Sequence, residues 1–356
     1  MFETITIQSR SGPYSVSFTP DLLDDIGEVL QGTPHCLVDA NIARLYSAPL
    51  AAVLAHPNTL IIESTEGNKS INSVIPVIER LVENKIRRGH VLVAIGGGII
   101  QDITCFIAST LLRGVEWRFI PTTLLAQADS CIGSKSSINL GEVKNILGTF
   151  NPPKHIWICP AFLDTLEPKE VRSGIGEILK VHAIAGQAAF DNLKKDFGLL
   201  AQDRQILLTY IRSALLIKKK YIEIDEFDQG VRNIFNYGHS FGHAIESATH
   251  FAIPHGVAVT MGMDIANHIA VLRGLLAASH RDRMHDVFRK NYQDFIHVPI
   301  VLEDMLGALM KDKKNTATEL MLIFPVGDRA EIQRIGVSPD EIFRGQCRQI
   351  IGNMWL

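Results

Sequence analysis

One short segment constrains the fold of this chain more than any other, because an apolar run ends there at three consecutive glycines. Residues 91–95 have the composition of a buried strand, and residues 96–98 are glycines, with Asp102 four residues beyond them. Glycine has no Cβ, so the backbone of such a turn can come close to a ligand. A helix that begins after the glycines would point free N–H groups at an anion such as a dinucleotide pyrophosphate. The segment therefore predicts a strand–turn–helix unit that binds a phosphorylated ligand.

The segments before the glycines repeat the alternation of strand and helix. Residues 3–8 and 14–18 predict a hairpin, and a helical pattern follows Pro20. Strands are then expected at 36–38 and 60–62, and helices at 42–54 and 71–87. This alternation predicts a doubly wound, mostly parallel sheet, whose ligands bind beyond the carboxyl ends of its strands.

Six residues of a possible binding site fall at such strand ends: Asp39, Asn41, Glu66, Lys69, Gly97 and Asp102. The carboxylate of Asp39 suits a ribose hydroxyl. The same residue could equally be the N-cap of the following helix, and the local sequence does not decide between the two.

The pattern changes after residue 166, and helical periodicity dominates from 167 to 311. A small hairpin is expected at 319–324 and 331–335, followed by a last helix at 338–351. These patterns predict a dinucleotide-binding α/β domain at 1–166 and a mainly α-helical domain at 167–356.

The helical half contains a set of polar residues with metal-ligand chemistry. Glu177 and Lys180 are three residues apart and share a helix face, and His255 begins another helix. Four more side chains recur at helical spacing, which predicts one stripe of one helix: Arg232, Asn236, His239 and His243. A carboxylate and two imidazoles suit Zn²⁺ with one position left open. The spacing does not show which histidines act together, and a surface helix with capping or packing histidines is the alternative.

Composition and charge exclude several classes of protein. The formal net charge is −3, so no global field recruits nucleic acid or an acidic membrane surface. No apolar run approaches the roughly 18 residues of a membrane span, and no signal peptide is indicated. The five cysteines match no zinc motif and are expected to be reduced and mostly buried, in a cytoplasmic protein.

Taken together, the motifs resemble those of the 3-dehydroquinate synthase family of sugar-phosphate cyclases. They are GGGIIQD, LLRG, PTTLLAQADS, the spacing of Lys135 and Lys144, GEILK, RNIFNYGHSFGHAIE and HG, in order between residues 36 and 325. The resemblance implies an N-terminal NAD-binding α/β domain, a helical C-terminal domain, an active site in the cleft between them, and a homodimer.

The resemblance also assigns roles to individual residues. The metal ligands, for Zn²⁺ or alternatively Co²⁺, would be Glu177, His239 and His255. The NAD site would include Asp39, Asn41, Glu66, Lys69, Gly97, Gly98, Asp102, Thr122, Thr123, Phe162 and Thr165. The substrate and catalytic residues would include Asp129, Lys135, Lys144, Asn145, Lys180, Lys218, Arg232, Asn236 and His243. Arg113 would reach the site of a neighbouring subunit, and one lysine of the run at 312–314 would reach the substrate.

The implied reaction is redox-neutral cyclisation of 3-deoxy-D-arabino-heptulosonate 7-phosphate to 3-dehydroquinate, with phosphate elimination. One alternative is a sister cyclase acting on another phosphorylated sugar, such as sedoheptulose 7-phosphate. A metal-dependent polyol dehydrogenase is a further alternative. A simple alcohol, however, would not need a cluster of cationic side chains, which here comprises Lys135, Lys144, Lys180, Lys218 and Arg232. Four positions depart from the family pattern and leave the substrate open: Gln101, Ser134, Glu142 and Val257. We expect Ser134 to donate a hydrogen bond, and Glu142 to face solvent or to pair with a lysine.

Overall fold

The computed structural model describes residues 3–141, 143–312 and 314–354, with residues 353 and 354 described for their backbone only. The chain folds as two compact units. Unit 1 comprises the chain up to Leu166 together with Lys218–Phe227. Unit 2 comprises Glu167–Ile217 and the chain from Asp228 onwards.

Unit 1 is built on a parallel sheet with helices between its strands. Its strands are β1 (Ile5–Ile7), β2 (Tyr14–Phe18), β3 (Pro34–Asp39), β4 (Thr59–Ile62), β5 (Val91–Gly96), β6 (Glu116–Pro121), β7 (Lys135–Leu140), β8 (Val143–Phe150) and β9 (His155–Ile158). Its helices are α1 (Ala40–Leu45), α2 (Ala51–Leu54), α3 (Ile71–Glu83) and α4 (Gly98–Thr110). Short helical turns lie at Ile26–Leu30, Glu66–Asn68, Leu111–Arg113, Ala126–Ser130 and Pro160–Thr165.

The main sheet has seven strands in the order β1-β2-β9-β6-β5-β3-β4. All neighbours pair in parallel except β1 and β2, which form the predicted antiparallel hairpin. Strands β3 and β5 are buried along their whole length, as expected for strands covered on both faces. The hairpin of β7 and β8 forms a separate two-stranded sheet. The predicted doubly wound α/β fold is thus confirmed.

Three predicted helices of unit 1 are wrong in extent. The helix expected at 42–54 is divided into α1 and α2, because Pro49 has no N–H and its ring clashes with the preceding turn. The helical pattern after Pro20 gives only turns and the short helix Ile26–Leu30, which Asp25 caps. Helix α3 ends at Glu83 rather than at 87, and Lys85 then takes a φ of 58°, which breaks the helix.

Unit 2 is mainly helical, as predicted. Its elements are α5 (Pro168–Ile184), α6 (Gln187–Asp196), α7 (Arg204–Ile224), α8 (His239–Ala248), α9 (His255–Leu272), α10 (Ala278–Tyr292), α11 (Leu302–Met310), β10 (Leu320–Val326), β11 (Glu331–Val337) and α12 (Glu341–Met354). The strands β10 and β11 pair as the expected hairpin. Within the described residues, no helix is both long and apolar enough to cross a membrane.

Helix α9 is the centre of unit 2, and nearly every residue from Gly256 to Ala270 is buried. Glycines allow its neighbours to cross it closely. A Cβ on Gly176 of α5 would lie 2.0 Å from the carbonyl oxygen of Gly256, and a Cβ on Gly262 would lie 2.1 Å from that of Gly238. Real Cβ atoms do not approach other atoms this closely, so glycine is required at both crossings.

The sequence places residues 218–227 in the second domain, whereas the structure groups Lys218–Phe227 with unit 1. Three contacts explain this grouping. Lys218 binds Asp129, the carboxylate of Glu223 accepts a hydrogen bond from the backbone N–H of Gln8, and Phe227 packs edge-on against Phe150. The end of α7 therefore belongs to unit 1, although the start of α7 belongs to unit 2.

Candidate functional site

In unit 1, the predicted nucleotide-binding residues follow the carboxyl ends of five parallel strands. They are Asp39 at the end of β3, Asn41 after it, Glu66 and Lys69 after β4, Gly97, Gly98 and Asp102 after β5, Thr122 and Thr123 after β6, and Phe162 and Thr165 after β9. Because these strands run in parallel, their carboxyl ends meet at one edge of the sheet. This edge is where doubly wound sheets bind ligands.

The glycine turn has the geometry that an anion requires. Gly97 is the N-cap of the 13-residue helix α4, and no side chain caps the first turn. A Cβ added to Gly98 would meet no atom within 4 Å, whereas a Cβ on Gly97 would lie 2.9 Å from Thr123. The first N–H groups of α4 therefore lack side-chain acceptors, and the space beside Gly98 is open, as a pyrophosphate site would need.

Asp39 is a helix cap in this structure. Its carboxylate accepts a hydrogen bond from the backbone N–H of Asn41 at 2.8 Å, at the start of α1. The second oxygen of the carboxylate is a further acceptor, so the cap does not exclude a ribose contact.

A polar network ties the β7–β8 hairpin to the sheet edge. Lys69 donates to Asp102 at 3.1 Å and to Asn145 at 2.8 Å, and the N–H of Asn145 donates to Asn139. Asn139 also donates to the carboxylate of Glu66 at 2.8 Å. Burial raises the pKa of Asp102, and the charge of Lys69 opposes that shift. Asn145, predicted with the substrate residues, therefore lies beside predicted nucleotide residues.

The lysines predicted to bind phosphate have different surroundings. Lys135 begins β7 opposite Phe150, whereas Lys144 lies near the turn where Leu140 pairs with Val143. Both are exposed. Lys218 is buried, and its ammonium group lies 2.7 Å from the carboxylate of Asp129, on the π-helical turn Ala126–Ser130.

In unit 2, the predicted stripe of Arg232, Asn236, His239 and His243 on one helix is wrong. The first two residues lie on the 3₁₀ turn Val231–Asn236, and α8 begins only at His239. Gly238 separates the two with a φ of 77° and packs against Val259 and Met263 of α9. The left-handed glycine interrupts the helix, and its lack of a Cβ permits this close approach.

The predicted metal ligands converge within unit 2. Oε1 of the fully buried Glu177 lies 3.3 Å from Nε2 of His255 and 3.8 Å from Nε2 of His239. In a tetrahedral site with metal–ligand bonds of about 2.0–2.1 Å, ligand atoms are separated by about 3.4 Å. Both distances from Glu177 are therefore compatible with a shared Zn²⁺ ion. His243 adds a fourth nearby donor, since ring nitrogens of His239, His243 and His255 lie within 4.8 Å of one another.

Outer hydrogen bonds orient two of these imidazoles. Nδ1 of His255 lies 3.1 Å from the carboxylate of Glu246, and Nδ1 of His239 lies 3.3 Å from the carbonyl oxygen of Tyr237. Each contact holds a proton on Nδ1, so Nε2 can serve as a ligand once it has lost its own proton, which is the usual arrangement around protein-bound zinc. Glu246 was missed by the sequence reasoning, although its position three residues after His243 could have indicated it.

Lys180 compensates the charge of the buried carboxylate. Its ammonium group lies 2.5 Å from Oε2 of Glu177. Burial opposes ionisation, yet the charge of Lys180 and hydrogen bonding from His255 keep the pKa of Glu177 below its usual range. Burial and the nearby cations lower the pKa of His239, so its imidazole is neutral, as a metal ligand must be.

Further polar residues surround the 3₁₀ turn before α8. Arg232 is buried, and Asn236 accepts a hydrogen bond from Lys314 at 3.0 Å. Asp312 accepts from Ser240 at 3.1 Å. Of the lysines in the run at 312–314, Lys314 therefore reaches the predicted substrate residue Asn236, whereas Lys313 lies outside the described residues.

The four departures from the family pattern have different settings. Gln101 donates to the carbonyl oxygen of Ser130 at 2.6 Å and accepts from its hydroxyl, which braces the turn carrying Asp129. Val257 is buried in α9. The hydroxyl of Ser134 is buried and has no hydrogen-bond partner among the described residues, so its predicted bond to a ligand stays a prediction. Glu142 lies outside the described residues.

Arg113, predicted to reach a neighbouring subunit, is exposed in the turn after α4 with a φ of 64°. All five cysteines are buried and free, as the sequence predicts.

Comparison with known proteins identifies relatives for both units. The family model for the 3-dehydroquinate synthase N-terminal domain matches residues 59–173, and the model for the C-terminal domain matches residues 174–315. A 3-dehydroquinate synthase of Alkaliphilus metalliredigens (strain QYMF) is 33% identical over 346 residues, covering 96% of this chain and 97% of that protein.

Two solved structures have a similar fold. ValA, a 2-epi-5-epi-valiolone synthase from Streptomyces hygroscopicus subsp. jinggangensis 5008 with NAD⁺ and Zn²⁺ bound, has a TM-score of 0.81 at 28% identity, covering 96% of each chain. A 2-deoxy-scyllo-inosose synthase complexed with carbaglucose-6-phosphate, NAD⁺ and Co²⁺ has a TM-score of 0.83 at 21% identity. It covers 98% of this chain and 100% of that one, and this likeness concerns the fold.

Proposed function

The chain belongs to the 3-dehydroquinate synthase family, and from that premise we propose that it converts 3-deoxy-D-arabino-heptulosonate 7-phosphate to 3-dehydroquinate. The reaction eliminates phosphate and closes a carbocycle, which makes the enzyme a carbon–oxygen lyase. The observation that carries this proposal is the donor set of Glu177, His239 and His255, in which both imidazole Nε2 atoms face one buried carboxylate.

The cofactors proposed are NAD⁺ and Zn²⁺, with Co²⁺ as an alternative ion. Glu177, His239 and His255 would hold the metal, and the edge of the sheet in unit 1 would hold the dinucleotide. When bound, NAD⁺ accepts and returns a hydride while the metal polarises the hydroxyl being oxidised. The valiolone synthase with NAD⁺ and Zn²⁺ bound supports this pairing of cofactors.

The chain's own residues bind and orient the substrate. Arg232 is buried, and its guanidinium group can bind a carboxylate through two parallel hydrogen bonds. Lys314 and Asn236 form a hydrogen-bonded pair beside α8 and offer donors to a phosphate. In unit 1, Lys218 is held by Asp129, so this pair presents one ammonium group in a fixed position. Lys180 stabilises the ionised form of Glu177.

A second candidate is a sister cyclase that acts on sedoheptulose 7-phosphate. It is favoured by Ser134 and Val257, which depart from the family pattern, and by the likeness to a 2-epi-5-epi-valiolone synthase. The buried Arg232 favours the first candidate, because a neutral sugar has no carboxylate for it to bind. A net oxidoreductase remains a third reading, since alcohol dehydrogenases share the fold at lower similarity, with a TM-score of 0.64 for one example.

The test is a combined assay of phosphate and NADH with the heptulosonate phosphate as substrate. We expect stoichiometric phosphate release without net NADH accumulation, and no turnover by His239→Ala. A matched control is His297→Ala, which changes an exposed histidine of unit 2 and should leave turnover unchanged. One NADH formed per substrate would contradict a cyclase, and full turnover by His239→Ala would contradict the proposed metal site.

A further inference from the structure

A second cluster of imidazole and carboxylate groups lies in unit 2, outside the donor set described above. Asp264 and His268 belong to α9, four residues apart on one face, and His285 belongs to α10. One potential ligand atom from each of the three residues lies within 4.8 Å of the other two. The rings of the two histidines are 5.4 Å apart and meet at 80°.

The carboxylate of Asp264 is fully buried, and only one of its two oxygens accepts hydrogen bonds within the part of the chain that the structure describes. Its Oδ2 accepts hydrogen bonds from the hydroxyl of Tyr292 at 2.6 Å and from Nδ1 of His285 at 2.8 Å. Its Oδ1 is buried and accepts no hydrogen bond from the described residues, with Nδ1 of His268 at 3.5 Å. A buried carboxylate oxygen without a partner is costly, so it indicates a ligand that completes its coordination.

The surroundings allow an ion to enter and to be held. The side chains of His268 and His285 are 22% and 27% exposed, so the cluster is open to solvent on their side. On the buried side, the hydroxyl of Tyr292 fixes the carboxylate, as outer hydrogen bonds do around metal ligands. Nδ1 of His268 lies 2.8 Å from the backbone carbonyl oxygen of Asp264, which assigns the proton of this ring to Nδ1 and leaves Nε2 as its ligand atom.

We propose that Asp264, His268 and His285 bind a second divalent ion of the Zn²⁺ class. Two imidazoles and one carboxylate suit Zn²⁺, Co²⁺ or Ni²⁺ rather than Mg²⁺ or Ca²⁺, which prefer oxygen ligands. The ion links α9 to α10.

Nearby cations limit the affinity of this site. Arg281 and Arg289 lie one turn before and one turn after His285 on α10, and both oppose positive charge there. The guanidinium of Arg281 is itself paired with Asp282 at 2.5 Å, which weakens its repulsion.

The test counts metal ions per chain after loading the chelator-treated protein with Zn²⁺ and removing the excess by gel filtration. We expect His268→Gln and His285→Gln to bind one ion fewer per chain than the wild type, and His297→Gln to match the wild type. This difference of one ion does not depend on the first site being filled. Equal zinc content in all four proteins would overturn the proposal.

A second readout separates loss of the ion from a general loss of stability. Adding Zn²⁺ should raise the Tm of the wild type and of His297→Gln by several degrees more than that of His285→Gln. The variant should keep its turnover, because none of the three residues belongs to the proposed catalytic set. A zinc-induced rise in Tm that is the same in all three proteins would show that the cluster is a hydrogen-bonded network only.

Discussion

Among single side chains, Glu246 shows how a residue that touches no proposed substrate can control the chemistry. Its carboxylate lies 3.1 Å from Nδ1 of His255, which keeps the proton there and leaves Nε2 facing Glu177. Removing such an outer partner typically reduces metal affinity by about 10- to 100-fold. We expect Glu246→Ala to lose zinc in this range, measured by competition with a chromophoric chelator.

The matched control is Glu303→Ala, which removes an exposed carboxylate of unit 2 that pairs with Arg344. It should bind zinc as the wild type does. Unchanged zinc affinity in Glu246→Ala would show that the backbone of α9 alone orients His255.

Residue identities were also the part of the site that the sequence could predict best. The motifs predict Glu177, His239 and His255 as metal ligands, and the structure brings their donor atoms together. That they bind a metal stays a prediction. Glu246 and Asn139 were not found, because their roles depend on which side chain lies opposite in the fold. Spacing along one helix cannot show a contact between α8 and the start of α9, nor one between a hairpin and a loop.

Helix crossings, rather than helix periodicity, bring the ligands of unit 2 together. The sequence predicts one continuous stripe from Arg232 to His243, but the chain breaks at Gly238 and starts a new helix there. The helical spacing of residues cannot reveal such a break, since reading it as one stripe assumes that a single helix continues. By contrast, the strand–turn–helix order of unit 1 was predictable, because glycines end an apolar run there. The alternation of strands and helices along the chain also indicates a parallel sheet.

The crossing of α5 and α9 provides a test of this view. A Cβ at Gly176 would lie 2.0 Å from the carbonyl oxygen of Gly256, so Gly176→Ala must push the helices apart. Glu177 and His255 lie on either side of this crossing. We expect the variant to lose about 1–3 kcal/mol of stability in urea unfolding and most of its bound zinc.

Gly307→Ala serves as the control, because it adds a methyl group inside α11 where no atom lies within 4 Å. It should keep its zinc and be equal to the wild type or more stable by about 0.5–1 kcal/mol. If Gly176→Ala retains full zinc content, the crossing does not set the ligand geometry.

At the scale of the whole molecule, the prediction concerns the association of two chains into a homodimer. Arg113 is exposed on a turn with a positive φ, and we propose that it completes the phosphate site of a neighbouring subunit in a homodimer. Residues shared between subunits can complement each other. Mixing inactive Arg113→Ala with inactive Lys218→Ala should therefore restore a fraction of the turnover after subunit exchange. Full activity of a monomer in sedimentation at the assay concentration would contradict this arrangement.

The choice of substrate is the central claim, and one comparison of rates tests it most directly. The measurement is the kcat/KM of the wild type for 3-deoxy-D-arabino-heptulosonate 7-phosphate and for sedoheptulose 7-phosphate, with Arg232→Met assayed in parallel. Because Arg232 is a buried cation suited to a carboxylate, we predict a strong preference for the acid substrate and loss of most of that preference in Arg232→Met. Faster cyclisation of the neutral sugar by the wild type, with little effect of Arg232→Met, would contradict the account.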